Sequence, residues 1–140
     1  MKLVTDVNKL KRKVGVCTGD LRAKAKALKE FTMSKKCRGL AASQVGIYEN
    51  YACIKSRSKL NATVMFYPEI VKSSKKTWES KETCVTIRKM PPHSIQRPKW
   101  VKVAYQDDRG RVHHKIFLKK QAAVVCHVID ILNGILITQK

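Results

Sequence analysis

Residues 121–132, Gln-Ala-Ala-Val-Val-Cys-His-Val-Ile-Asp-Ile-Leu, carry no charge except Asp130 and are apolar nearly all round. A helix on the surface would keep a polar face, so this pattern predicts a helix buried within the domain. Asn133-Gly134 gives it a stop, because glycine can take the left-handed backbone that closes a helix. Residues 135–137, Ile-Leu-Ile, read as a final short strand. Upstream, the chain is cut into short runs with β-branched or aromatic residues at 50–55, 62–67, 81–88, 100–105 and 112–118, which predict strands. Asp107-Asp108-Arg109-Gly110 separates the last two as a hairpin turn. Pro91, Pro92 and Pro98 mark a loop or a strand edge, since proline cannot donate to a sheet ladder. Further back, Thr18-Gly19-Asp20 offers a helix start, and Leu21, Ala25, Leu28 and Thr32 at helical spacing predict a helix over 20–34. Residues 39–46, Gly-Leu-Ala-Ala-Ser-Gln-Val-Gly, form an apolar, small-residue segment expected to be buried. The expected fold class is α+β, with antiparallel strands around a central C-terminal helix plus an N-terminal helix.

A length of 140 residues suits one domain over 1–140, able to bury roughly two-thirds of its unfolded surface. With 44% hydrophobic and 29% charged residues, wholesale disorder is excluded. The charge is unusual: 30 Lys and Arg against 10 Asp and Glu leave +20, enough to draw in polyanions such as RNA. The basic residues fall in small clusters, among them Lys35, Lys36 and Arg38, and each cluster alone reads as a solvated face. No stretch approaches the roughly 20 apolar residues of a membrane span, and the N-terminus lacks signal-peptide character, so a cytoplasmic protein without membrane contact is expected. The five cysteines, 17, 37, 53, 84 and 126, are odd in number and form no C-x-x-C pair; reduced thiols are expected. His113 and His114 are adjacent on a predicted strand and point opposite ways, so they read as solvent-facing hairpin residues and not as a metal pair.

Three segments carry order and spacing: Gly39 to Gly46; Glu82-Thr83-Cys84-Val85-Thr86; and His127-Val128-Ile129-Asp130-Ile131-Leu132-Asn133-Gly134. Read alone, His127 is a hydrogen-bonded core histidine, Cys84 a small buried hydrophobe, and Gln44 a side chain satisfying nearby backbone groups. Together the three segments resemble the peptide deformylase family, whose patterns are G-x-G-L-A-A-x-Q-V-G, E-G-C-L-S and H-E-x-D-H-L-N-G. The resemblance runs through most of the chain.

That resemblance implies a metal-dependent hydrolase that removes the formyl group from the N-terminal methionine of nascent peptides. The family holds a divalent metal, usually iron and replaceable by nickel, cobalt or zinc, through one Cys and two His. A metal-bound water and a Glu beside the first His do the chemistry. Carried over by position, Cys84 and His127 match metal ligands. Gln44 and the Val85 backbone N–H match the oxyanion donors, and Gly39 matches the glycine that lets the first motif approach the site. Glu82 and Arg97 match a structural ion pair, and Asp130 matches an aspartate that seats the helix.

Two positions depart from the family. Val128 replaces the catalytic Glu, a change that costs about 10²–10⁴ in rate for a lost acid/base. Ile131 replaces the second His and cannot bind metal. Cys37 and Thr83 add a Cβ where the family keeps glycine. Asp130, three positions after His127, is a candidate substitute ligand. Two functions follow: a deformylase-like enzyme acting on formyl-methionyl peptides with activity impaired or lost, or a non-catalytic scaffold that binds peptides, or the ribosome and RNA through its basic surface. A monomer is expected.

Overall fold

In the computed structural model the described residues are 1–84, 86 and 91–139. After a short helix α1 (Val7–Leu10) comes α2 (Leu21–Met33), then β1 (Gly39–Ala41) and a 3-10 turn over Ala42–Val45. Six further strands follow: β2 (Tyr51–Lys55), β3 (Ala62–Ser73), β4 (Thr77–Glu82), β5 (His93–Pro98), β6 (Trp100–Gln106) and β7 (Val112–Leu118). Helix α3 (Lys119–Leu132) and a 3-10 turn over Ile137–Gln139 complete it. The fold is α+β, as expected. The strands make a five-stranded sheet in the order β1-β2-β3-β6-β7 and a two-stranded sheet of β4 and β5, with all pairings antiparallel.

The large sheet has a core on each face. Its strand β2 is buried throughout, and successive side chains alternate between the two. Ala52 and Ile54 join the cluster around Val125, Val128 and Ile131 of α3. Tyr51 and Cys53 join the cluster around Ala25 and Leu28 of α2. A strand covered on both sides has no polar register to keep, which is why Tyr-Ala-Cys-Ile runs without a break.

Asp20 caps α2 by accepting from the N–H groups of Arg22 and Ala23, and Ala25, Leu28 and Thr32 form its buried stripe. The apolar wrap of α3 reflects real enclosure: Ala122, Val125, Val128 and Ile131 are all fully buried. The helix ends as glycine allows. Gly134, at φ +77°, donates to the Ile131 carbonyl, and Ile135 donates to that of Asp130. The 107–110 turn joins β6 to β7, with Asp107 Oδ1 accepting from the N–H groups of Arg109 and Arg111.

Several expectations are corrected. Of the strand expected over 81–88, Lys81 and Glu82 close β4, Thr83 and Cys84 are in irregular backbone, and residues 85, 87 and 88 lie outside the described residues. Residues 135–137 are not a strand: Leu136 and Ile137 are buried as expected of an apolar run, but the chain turns there as a 3-10 helix. The proline-rich stretch contains β5, in which Pro98 occupies the last position, where a missing N–H is tolerated. Strand β3 runs on past Tyr67 to Ser73 through a register shift against β6 between Phe66 and Glu69, with Tyr67 at φ +52°.

Candidate active site

The site is assembled from three places in the chain. The 3-10 turn after β1 carries Gln44, only 1% exposed. Its Oε1 accepts from the Ala41 N–H at 2.9 Å, and its Nε2 donates to Thr86 Oγ1 at 3.2 Å and to Cys84 Sγ at 3.6 Å. Cys84 and Thr86 are themselves 3.0 Å apart. The carboxamide therefore both braces its own turn and reaches the thiol, so one residue performs the backbone satisfaction and the approach expected of it. Gly39 sits where a Cβ would lie 2.9 Å from the Cys53 carbonyl oxygen and 3.0 Å from Val124. Only glycine lets β1 come this close to β2 and α3.

Helix α3 supplies His127, whose imidazole lines the same cleft as Gln44 and Gly39. The cleft measures about 780 Å³ and runs between β1, β4 and α3. His127 Nδ1 has no hydrogen-bond partner among the described residues; the nearest carboxylate oxygen, Glu82 Oε1, is 3.9 Å away. Burial lowers the pKa of this histidine, and Glu82 only partly opposes the shift, so the ring is neutral at pH 7.

Behind the histidine lies a buried ion cluster. Arg97 Nε and Nη2 donate to the two oxygens of Glu82 at 2.9 and 2.7 Å, and Nη1 donates to Asp130 Oδ2 at 2.8 Å. Burial alone would lower the Arg97 pKa, but the bonds to Glu82 and Asp130 outweigh it and raise it. Sequence reading paired Arg97 with Glu82 but missed its bond to Asp130, which lies 33 residues away. Thr86, quoted only as part of a motif, is the other residue that was missed. The Val85 N–H lies outside the described residues.

Val128 and Ile131 are fully buried in the core around α3. Fold and site together define a class: an α+β scaffold whose buried helix lays an imidazole beside a cleft that also receives a strand-edge glycine and a carboxamide. Residues 4–140 match the sequence pattern of polypeptide deformylase. The peptide deformylase of Synechocystis sp. is 26% identical over 132 residues, spanning 92% of this chain and 70% of that protein. Among solved structures, peptide deformylase from Thermotoga maritima superposes with a TM-score of 0.90 at 26% identity, covering 99% of this chain and 95% of that one. A Met-Ala-Ser-bound class I type b peptide deformylase from Acinetobacter baumannii gives 0.89 at 26% identity, covering 99% and 97%. The chain belongs to the polypeptide deformylase family.

Peptide deformylases are metal-dependent, and the donors among the described residues do not fit that metal. A catalytic site of this kind needs three protein ligands around an open position. Here Ile131 offers hydrocarbon one turn after His127, and the Asp130 carboxylate is engaged by Arg97. Among the described residues no group of three His, Cys, Asp or Glu side chains is arranged to hold an ion.

Proposed function

We propose that this protein is a non-hydrolytic member of the deformylase family that binds the N-terminal segment of a peptide, formyl-methionyl peptides included, without cleaving it. The observation that carries this reading is the complete burial of the hydrocarbon side chains of Val128 and Ile131, at the two helix positions where the resembling pattern has a Glu and a second His. The cleft itself persists. It is bordered by β1, which among the described residues pairs only with β2, and by β4, which among them pairs only with β5, so each has a strand edge without a described partner. An extended peptide laid between them takes main-chain hydrogen bonds from both, in the manner of strand addition. Gln44 and His127 mark the inner end of this cleft in the reading, as binding and not as reacting groups.

The five free cysteines support a reducing compartment, the cytoplasm. A charge of +20 supports a second surface role, electrostatic contact with RNA as on the ribosome, and favours a monomer through self-repulsion. If that contact is electrostatic, co-sedimentation with ribosomes weakens steeply with salt; binding indifferent to salt refutes it.

The test pairs two measurements on the same preparation: calorimetric binding of formyl-Met-Ala-Ser, and release of formate from it. Binding without formate release is expected. Formate release that scales with protein concentration and is lost in Cys84→Ser overturns the proposal.

A further inference from the structure

The charged side chains that line the cleft are Lys36, Arg38, Lys81 and Lys120 against Glu79 and Glu82. The two acids are already engaged. Both Glu82 oxygens accept from Arg97, and Glu79 Oε1 accepts from Ser94 Oγ at 2.7 Å. Among the described residues none of the four cations forms an ion pair. They come from separate parts of the chain: Lys36 and Arg38 from the connection between α2 and β1, Lys81 from β4, and Lys120 from the first turn of α3. Cations spread over one outer helix face would be a solvated surface. Cations converging from three elements on one concave surface add their fields in the space between them.

Resting on the reading that the cleft takes an extended peptide, we infer that it selects acidic ones: Lys36, Arg38, Lys81 and Lys120 are specificity determinants for carboxylate side chains at the positions after the first residue. A single-stranded nucleic acid is also anionic. The edges of β1 and β4, however, offer the repeating backbone partners of strand addition, and Trp78 is the one Trp, Tyr or Phe lining the cleft among the described residues. Each exposed ion pair supports roughly a two- to fivefold gain in affinity, so two acidic residues gain about tenfold over two neutral ones.

The test is calorimetry on the intact protein with three N-formyl, C-terminally amidated peptides, Met-Asp-Glu, Met-Ala-Ser and Met-Lys-Arg, at about 50 and about 300 mM salt. The expected order is acidic, neutral, basic, with the spread narrowing at the higher salt. The double variant Arg38→Glu with Lys81→Glu, both exposed positions, is expected to invert the order while the circular dichroism spectrum stays unchanged. Equal binding of all three peptides refutes the charge selection and leaves the peptide reading standing. Binding by none removes that reading and this inference with it. An oligouridylate that binds more tightly than Met-Asp-Glu and displaces it assigns the cleft to nucleic acid and overturns the inference.

Discussion

Replacing Arg97 by methionine tests the ion cluster behind the site. Arg97 is 3% exposed, and it makes three charge-assisted hydrogen bonds of 2.7–2.9 Å to two carboxylates that are themselves 9% and 19% exposed. Methionine fills much of the same volume but leaves Glu82 and Asp130 without their shared cation. Removing one partner of a buried ion cluster costs about 3–5 kcal/mol, because the stranded charges are neither solvated nor paired. With an unfolding entropy of about 2.1 cal/mol/K per residue, a chain of this length loses about 10–17 °C in Tm. Thermal unfolding followed by circular dichroism at pH 7.5 reads this directly. A second variant identifies the cause. Adding Glu82→Gln removes a stranded charge and should recover part of the loss. A deficit below about 1 kcal/mol, or one that Glu82→Gln deepens, refutes the assignment of Arg97 as the keystone of this cluster.

Further predictions concern backbone strain, a buried phenol and the lost chemistry. Gly134 has φ +77°, and a Cβ there would lie 2.4 Å from the Lys11 carbonyl oxygen, so Gly134→Ala should cost about 2 kcal/mol or more in urea unfolding. Gly110→Ala, with the same φ but nothing within 4 Å, should cost only about 1 kcal/mol; equal losses would refute the steric argument. The Tyr51 hydroxyl is buried without a partner among the described residues, and burial pushes its pKa up to about 12. The unfolded chain ionises this phenol near 10, so between pH 10 and about 12 the wild type should lose roughly 1.4 kcal/mol per pH unit that Tyr51→Phe does not lose. Val128→Glu with Ile131→His restores the proton carrier and the third ligand. In a variant that retains its helical dichroism, nickel should raise Tm and formate release should appear; a folded variant showing neither contradicts the placement of these two positions at the site.

Helix α3 was legible because its sequence is apolar all round, and enclosure on all sides is the environment that tolerates such a pattern. The same run could not report that Arg97, on a different sheet, would hold Asp130, because that contact depends on how β5 packs against the helix. Strand β4 escaped for a different reason. Its inward-facing positions are Ser80 and Glu82, polar residues, the latter's burial made tolerable by Arg97, so no hydrophobic alternation marks it. In 135–137, an apolar run correctly signalled burial, but burial alone does not distinguish an extended segment from a tight turn. Gln44, Gly39 and His127, which the motif spacing singled out, do line one cleft. The lining of the cleft by Lys36, Arg38, Lys81 and Lys120 was not, since nothing in their spacing reveals that a connection, a strand and a helix start surround one space.

The most direct measurement is the metal content of the wild-type protein after anaerobic incubation with Fe²⁺ or Ni²⁺ and desalting, read by plasma mass spectrometry. With Cys84 and His127 proposed as the two remaining ligands, retention far below one ion per chain is expected. One tightly held ion per chain, lost in both Cys84→Ser and His127→Ala, would contradict the proposal of a non-hydrolytic family member.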